Sequence, residues 1–417
     1  LPRTMKPILI IGAGCAGLAA AYRLAQENRD ILLVERSGRI GGLAETFSYR
    51  GVRFDLGPHV FFKEDEKIST LWRDLLKDKF IKHRRRSSLY YNGQYIHSPL
   101  NPWDALLKLG PLQIGRIWAS YLHSRLRSGV PIDNSRDWVV AHFGERLYEM
   151  FYKGYNEKIW GVDCEQIEPL WPERRIKSSL LRMMWGTFLR DPKFTVKEFD
   201  YPEQGASMMH EAFLAEILRH PTASLKIHSE VMGVVHDSEG IRAVDLQERD
   251  SRQVNRVEVN ALISSMPIDD LVRKLDPPAP SQVLEAANEL RYRNLITVNV
   301  IVDRQHLKNF RQHWIDIHAT EIRMLRVTNF GNLSEAMCAG DKVGLTAEYV
   351  CSPGDEVWTM PDKALIDLAG QELETMKLFP AKEVEDGFVL RKEKAYALCL
   401  LGYHKKIEIL RKYLERF

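Results

Sequence analysis

The feature that most constrains this chain is a set of glycines, Gly12, Gly14 and Gly17, placed between an apolar run and an alanine-rich stretch. Residues 7–12 (PILIIG) read as a short strand, 15–26 as a helix and 31–35 (ILLVE) as a second buried strand. Strand, helix and strand so close together dictate parallel pairing through a right-handed crossover. Gly12 permits the tight turn, Gly14 lets a pyrophosphate approach the backbone, and Gly17 lets helix and strand pack closely. The helix begins at Cys15 and Ala16, where unpaired N–H groups and the positive dipole end suit phosphate. Glu35 ends the second strand 18 residues after Gly17. A carboxylate there accepts from ribose hydroxyls and repels a 2′-phosphate. The ordered set points to a bound dinucleotide, with Cys15 as a small filler in the loop.

A chain of 417 residues has room for roughly two or three domains. Lys and Arg total 59 and Asp and Glu 56, a net charge of +3, too balanced for a nucleic-acid partner. The five scattered cysteines fit no disulfide or zinc spacing, so no metal site is expected and a reducing cytoplasm is the simplest home. Arg3 and Lys6 ahead of the apolar stretch 8–21 imitate a secretory leader, but the glycine spacing argues against one. No apolar run reaches the ~20 residues that span a bilayer. Met5 reads as the natural start.

Further along, a small hairpin is expected at 45–54 and a helix at 65–78. A second hairpin is expected at 89–96, where Asn92-Gly93 sits between aromatic runs. Residues 101–128 and 134–160 read as mostly helical, broken at Gly110-Pro111 and 129–131. Helices are expected at 205–219, 281–290, 361–378 and 403–416. Strands are expected at 223–235, 241–248, 254–263, 295–302, 322–328 and 343–351.

After Glu35 come Arg36 and then Gly41-Gly42-Leu43. The pattern Glu-x5-Gly-Gly behind a glycine loop resembles the flavin amine oxidase superfamily, which includes protoporphyrinogen oxidases, phytoene desaturases and UDP-galactopyranose mutases. Many amine oxidases carry Arg where this chain has Leu43. Phe54-Asp55-Leu56-Gly57-Pro58-His59 resembles the segment that approaches the isoalloxazine ring. Tyr201-Pro202-Glu203-Gln204-Gly205, Glu230-Val231, the strand 261–267 and Glu348-Tyr349 extend the resemblance over roughly 5–378. It implies FAD as cofactor, held by Gly12, Gly14, Cys15, Ala16, Gly17, Glu35, Arg36, Gly41, Gly42, Leu43, Gly57, Pro58, His59 and the backbone at Val231. His59 is the catalytic candidate, able to tune the flavin's charge and exchange protons; a hydrogen-bonded loop histidine is the alternative.

The implied fold is α/β: a Rossmann-like FAD-binding domain with a parallel sheet, interleaved with an α+β substrate domain. The expected pieces are 5–88 and 199–270 for the FAD domain and 89–198 (mostly helical) and 271–390 for the substrate domain. Residues 391–417 are expected to start a final, truncated FAD-domain return. The superfamily's closing segment is not found before Phe417, which leads to the expectation that FAD binds weakly or not at all to the chain as it stands.

Lys153 to Gly161 (KGYNEKIWG) resembles a segment of the mutases. Tyr155, Asn156, Lys158 and Trp160 are the substrate-binding candidates, able to stack on a ring and bond hydroxyls; an amphipathic helix end is the bland alternative. Residues 103–126 place Leu and Trp opposite basic residues and allow a peripheral membrane contact, with packing inside the substrate domain favoured. The leading functional expectation is an FAD-dependent oxidoreductase that passes a hydride from a small organic substrate to the flavin. A flavin-dependent sugar-nucleotide mutase is the alternative, and a non-catalytic homologue the third reading.

Overall fold

In the computed structural model, which describes residues 6–62, 65–98, 102–126, 131–176, 198–249 and 251–417, a parallel sheet forms around the glycine loop. Its strands run Ala223–Lys226, Ile31–Val34, Ile8–Ile11, Ala261–Ser264 in that order. Successive residues go to opposite faces, as strand geometry requires. Ile10, Ile31 and Leu33 pack under the helices Cys15–Gln26 and Ser207–Leu218. Leu9, Ile11, Leu32 and Val34 pack against a small sheet and the helices Ser281–Asn288 and Tyr403–Leu414. The α/β class expected from the sequence is the one observed.

A larger sheet of seven strands lies beside it, in the order Val384–Ala397, Tyr292–Asp303, Lys342–Cys351, Arg326–Asn329, Trp314–Ile317, Ser87–Tyr91, Gln94–Ser98. Its apolar face carries Ile296, Val298, Val327, Leu345, Ala347 and Tyr349 under the helix Asp362–Thr375. The hairpin of Thr46–Tyr49 and Val52–Asp55 covers the other face. Val52 and Phe54 there join Ile301, Trp314 and Phe330 in one core. The turn expected at Asn92-Gly93 is present, both residues having positive φ (47° and 73°).

Several expectations needed correction. The single strands expected at 223–235 and 254–263 each divide between two sheets, Ala223–Lys226 from Ser229–Asp237 and Val254–Glu258 from Ala261–Ser264. The first divides at His228, whose φ of 52° ends the extended run. The strand expected from 322 begins at Arg326. Val384–Ala397, charged along much of its length, is a 14-residue edge strand that was not foreseen. The boundary expected at 391 falls inside it, so residues 391–397 stay with the large sheet. The stretch 102–126 kinks at Gly110. Its Ile117 and Tyr121 are buried while Leu112, Leu122 and Leu126 are exposed. No helix among the described residues is long and apolar enough to cross a membrane.

Candidate functional site

The glycine loop is shaped for close approach. A Cβ at Gly17 would lie 1.8 Å from the Gly12 carbonyl oxygen, so only glycine lets helix Cys15–Gln26 start here. That N-terminus has no side-chain cap, and Cys15 and Ala16 are exposed on it. Glu35 braces the loop by accepting from the Ala13 N–H at 2.8 Å and the Ser37 N–H at 2.9 Å. Each of its oxygens keeps a lone pair for a ribose hydroxyl. The second loop lies directly alongside, through a parallel bridge between Gly14 and Gly41. Gly42 and Leu43 are exposed on it. Arg39 and Lys392 both reach Glu45 at the loop's end, at 2.8 and 2.9 Å.

Arg36 is exposed beyond Glu35. Val231 is buried in the core with Leu9 and Leu32, so it offers a ligand its backbone only. Cys15 is more than filler: its Sγ meets Nε2 of buried His210 at 3.0 Å. Burial raises the thiol's pKa and, with His59 nearby, lowers that of His210 to about 4.

Gly57, Pro58 and His59 bring the hairpin up to the large sheet. His59 Nε2 lies 3.0 Å from the Leu43 carbonyl. A carbonyl only accepts, so Nε2 carries the proton and Nδ1 is the acceptor nitrogen. Burial lowers the pKa of His59, opposed by that bond and reinforced by Arg326. Asp55 is held in the same segment by Thr46 and Tyr201 hydroxyls, each at 2.6 Å, and the Ala206 N–H.

Opposite these loops the sheet presents a polar row. Asp316 pairs across strands with Arg326, Arg326 with Glu348, and Glu348 with Thr297. Residues two positions along a strand share its face, which adds Thr328, Thr346 and Asn299. Arg326 Nε donates to Asp316 at 2.7 Å, and its Nη1 lies 3.6 Å from Glu348. Burial works against the Arg326 charge, but Asp316 and Glu348 outweigh it and hold the guanidinium protonated. Burial raises the Glu348 pKa. A Cβ on Gly57 would lie 3.5 Å from Glu348 Oε1, so the row faces the segment ending in His59. Glu348 Oε1, Thr328 Oγ1 and His210 Nδ1 are buried without a hydrogen-bond partner among the described residues.

Of the four substrate candidates, Tyr155 alone reaches this row. Its hydroxyl lies 3.4 Å from Asp316, and its ring stacks on His318 at 4.4 Å. The other three contact neighbouring parts of the chain. Lys158 donates to the carbonyls of Ile317, Ala319 and Met324, at 3.0, 3.0 and 3.1 Å. Asn156 donates to the Tyr152 carbonyl, and Trp160 is buried against Trp171. The Lys158 ammonium is thus fully engaged, while the Trp160 Nε1 is buried without a hydrogen-bond partner among the described residues. Asp316, Arg326, Thr297 and His210 were missed, and Glu348 was noticed only as part of a resemblance. The available signal was the alternation of Thr297 and Asn299, or of Thr346 and Glu348, with apolar neighbours.

A parallel dinucleotide-binding sheet, two abutting glycine loops and a polar sheet face opposite them define a flavoprotein fold. The chain belongs to the flavin containing amine oxidoreductase family, whose model matches residues 15–393. FAD is the cofactor, and the uncapped helix start, the glycine cradle and the unpartnered Glu348 and His210 atoms fit it. Among known proteins, a Klebsiella pneumoniae protein described as "Probable UDP-galactopyranose mutase" is 25% identical over 236 residues, 54% of this chain and 56% of that one. The dTDP-fucopyranose mutase of Escherichia coli is also 25% identical over 236 residues, 54% of this chain and 58% of that one. The match thus spans little more than half the length of these curated relatives. A crystal structure of reduced UDP-galactopyranose mutase superposes with a TM-score of 0.83 at 20% identity, over 99% of this chain and 87% of that one. At that identity the likeness speaks for the fold.

Proposed function

We propose that the chain is a flavin-dependent mutase acting on a sugar nucleotide. The observation that carries this reading is the row Asp316–Arg326–Glu348 facing the His59 loop. Charged and hydroxyl groups there reward a substrate rich in hydroxyls and penalise an apolar one, whose burial would leave them unpaired. The names of the two curated mutases support the same choice.

Bound FAD supplies the reacting centre, a hydride acceptor when oxidised and a nucleophile when reduced. The chain's own residues orient the substrate and handle protons. Arg326, fixed between two carboxylates, presents its remaining N–H groups to substrate oxygens. Glu348 Oε1 accepts from a substrate hydroxyl. Tyr155 is held by Asp316 and His318 and closes one side of the row. His59, neutral because burial lowers its pKa, offers Nδ1 to take up a proton at neutral pH.

The second reading, hydride removal from an organic substrate, is supported by the family-model match over residues 15–393. The deciding experiment loads the chain with FAD and offers UDP-galactopyranose anaerobically, with and without dithionite. Conversion to the furanose form only after reduction, without oxygen uptake, is the expected result. Oxygen uptake with an amine or a porphyrinogen, and no sugar-nucleotide conversion, overturns the mutase reading in favour of the oxidoreductase. Silence in both assays points to a non-catalytic homologue.

A further inference from the structure

Arg85 stands just ahead of the strand Ser87–Tyr91, which pairs with Trp314–Ile317 in the large sheet. Its Nε donates to Ser87 Oγ at 2.7 Å and its Nη2 to Ser98 Oγ at 3.2 Å. Both partners are neutral hydroxyls. Ser87 Oγ spends its own proton on the Ser98 carbonyl at 2.9 Å. The guanidinium lies over the rings of Trp314 and Phe62, 5.3 and 6.0 Å from their centroids.

Other part-buried arginines are neutralised directly. Arg136 meets Glu145 at 2.8 Å, Arg293 meets Asp355 at 3.5 Å, Arg326 meets Asp316 at 2.7 Å and Arg391 meets Asp362 at 2.6 Å. Among the described residues Arg85 has no such carboxylate. Burial pushes its pKa down, Asp316 pulls it up and Arg326 pushes it down again, so its charge shares a field with the polar row. Trp314 and Asp316 lie two apart on one strand and therefore on one face, which puts the plane of Arg85 beside the first member of that row.

A guanidinium has five N–H donors in a flat fork, and a partly dehydrated one without a carboxylate in direct contact favours an anion over water. We propose that Arg85 is an oxyanion-binding residue of the site, taking a carboxylate or phosphate oxygen pair of the substrate in a bidentate contact. Trp314 and Phe62 hold the fork from its faces while Ser87 and Ser98 set its rotation. This deepens the sugar-nucleotide reading and rests on it for the identity of the ligand alone. The oxyanion has two possible sources, a phosphate of the nucleotide or a carboxylate on the sugar ring.

The test uses the full FAD-loaded chain and isothermal titration with four probes: UDP, inorganic phosphate, glucuronate and the neutral methyl β-galactoside. Arg85→Met is expected to weaken binding of at least one anionic probe by about tenfold or more, leaving methyl β-galactoside within about twofold. Arg85→Lys, which keeps the charge but not the fork, is expected to fall between the two. Sensitivity of UDP and phosphate assigns the nucleotide; sensitivity of glucuronate alone assigns a ring carboxylate. FAD content and thermal midpoint show that each variant is folded, and if Arg85→Met does not load FAD the comparison is made on Arg85→Lys. The proposal is overturned if no anionic probe binds the unsubstituted chain, or if all of them bind the variant as they bind the unsubstituted chain. An Arg85-dependent glucuronate site in a chain that converts no sugar nucleotide would sink the mutase reading and leave Arg85 as assigned.

Discussion

Asp55 is enclosed by hydroxyls of Thr46 and Tyr201 and the Ala206 N–H, contributions from segments far apart in the chain. Burial pushes its pKa up to about 6, against hydrogen bonds that pull it down. In the unfolded chain an aspartate titrates near ~4. The folded state therefore holds this proton more tightly than the unfolded state does. The stabilisation is complete below pH ~4 and is lost as the pH rises to about 6. Asp55→Asn removes that component. Urea unfolding of both proteins at several pH values should show the variant gaining on the parent between pH ~4 and ~6. A difference constant across that window would sink the assignment. The same residue marks the limit of sequence reading: Asp55 was visible inside a motif, but nothing in the sequence showed that Thr46 and Tyr201 close over it. Gly205, φ 97°, belongs to that closure, since a Cβ there would lie 2.7 Å from Asp55 Oδ1.

Among elements, the helix Gly154–Trp160 is pinned to the loop after Trp314–Ile317 by one ammonium. Lys158 satisfies three carbonyls at once, and burial lowers its pKa to about 8. Lys158→Met would leave those carbonyls without their donor. A loss of about 3 kcal/mol is expected in chemical denaturation, together with a loosened Tyr155–Asp316 contact. Stability within a few tenths of the parent would show that water replaces the ammonium. Helices were legible because their apolar spacing and breakers are local: 281–290 was expected and Ser281–Asn288 found. The edge strand Val384–Ala397 was not, because its pattern is set by tertiary use. Arg391 leaves the strand for Trp358, Met360 and Asp362, Lys392 for Glu45 and Lys394 for Asp269 and Asp270. Charged side chains suit an edge and read locally as loop.

At the scale of the molecule, the hairpin 46–55 joins the two regions. By position in the chain it follows the FAD loops, yet Val52 and Phe54 complete the core of the large sheet. Gly344 leaves room for that ring; a Cβ there would stand 2.6 Å from Phe54 Cε1. Lys392 and Arg39 tie the second glycine loop to the same sheet through buried Glu45. With so much shared core, heating should give one cooperative transition, and added FAD should shift it upward as a whole. Calorimetry with two separable transitions, one of them indifferent to FAD, would contradict this coupling.

What the sequence alone determined is the cofactor end of the protein. The glycine spacing, the helix start and Glu35 act within one βαβ unit, where local steric and dipolar requirements leave few alternatives. The substrate end was decided by tertiary structure. Asp316, Arg326, Glu348 and Thr297 lie on four strands and become neighbours only through strand register, which is set by burial of the opposite apolar face. Tertiary packing also decided that the Lys158 ammonium is held by three carbonyls and that the Trp160 ring is buried against Trp171. An ammonium whose three N–H groups already have acceptors has none left to donate to a substrate.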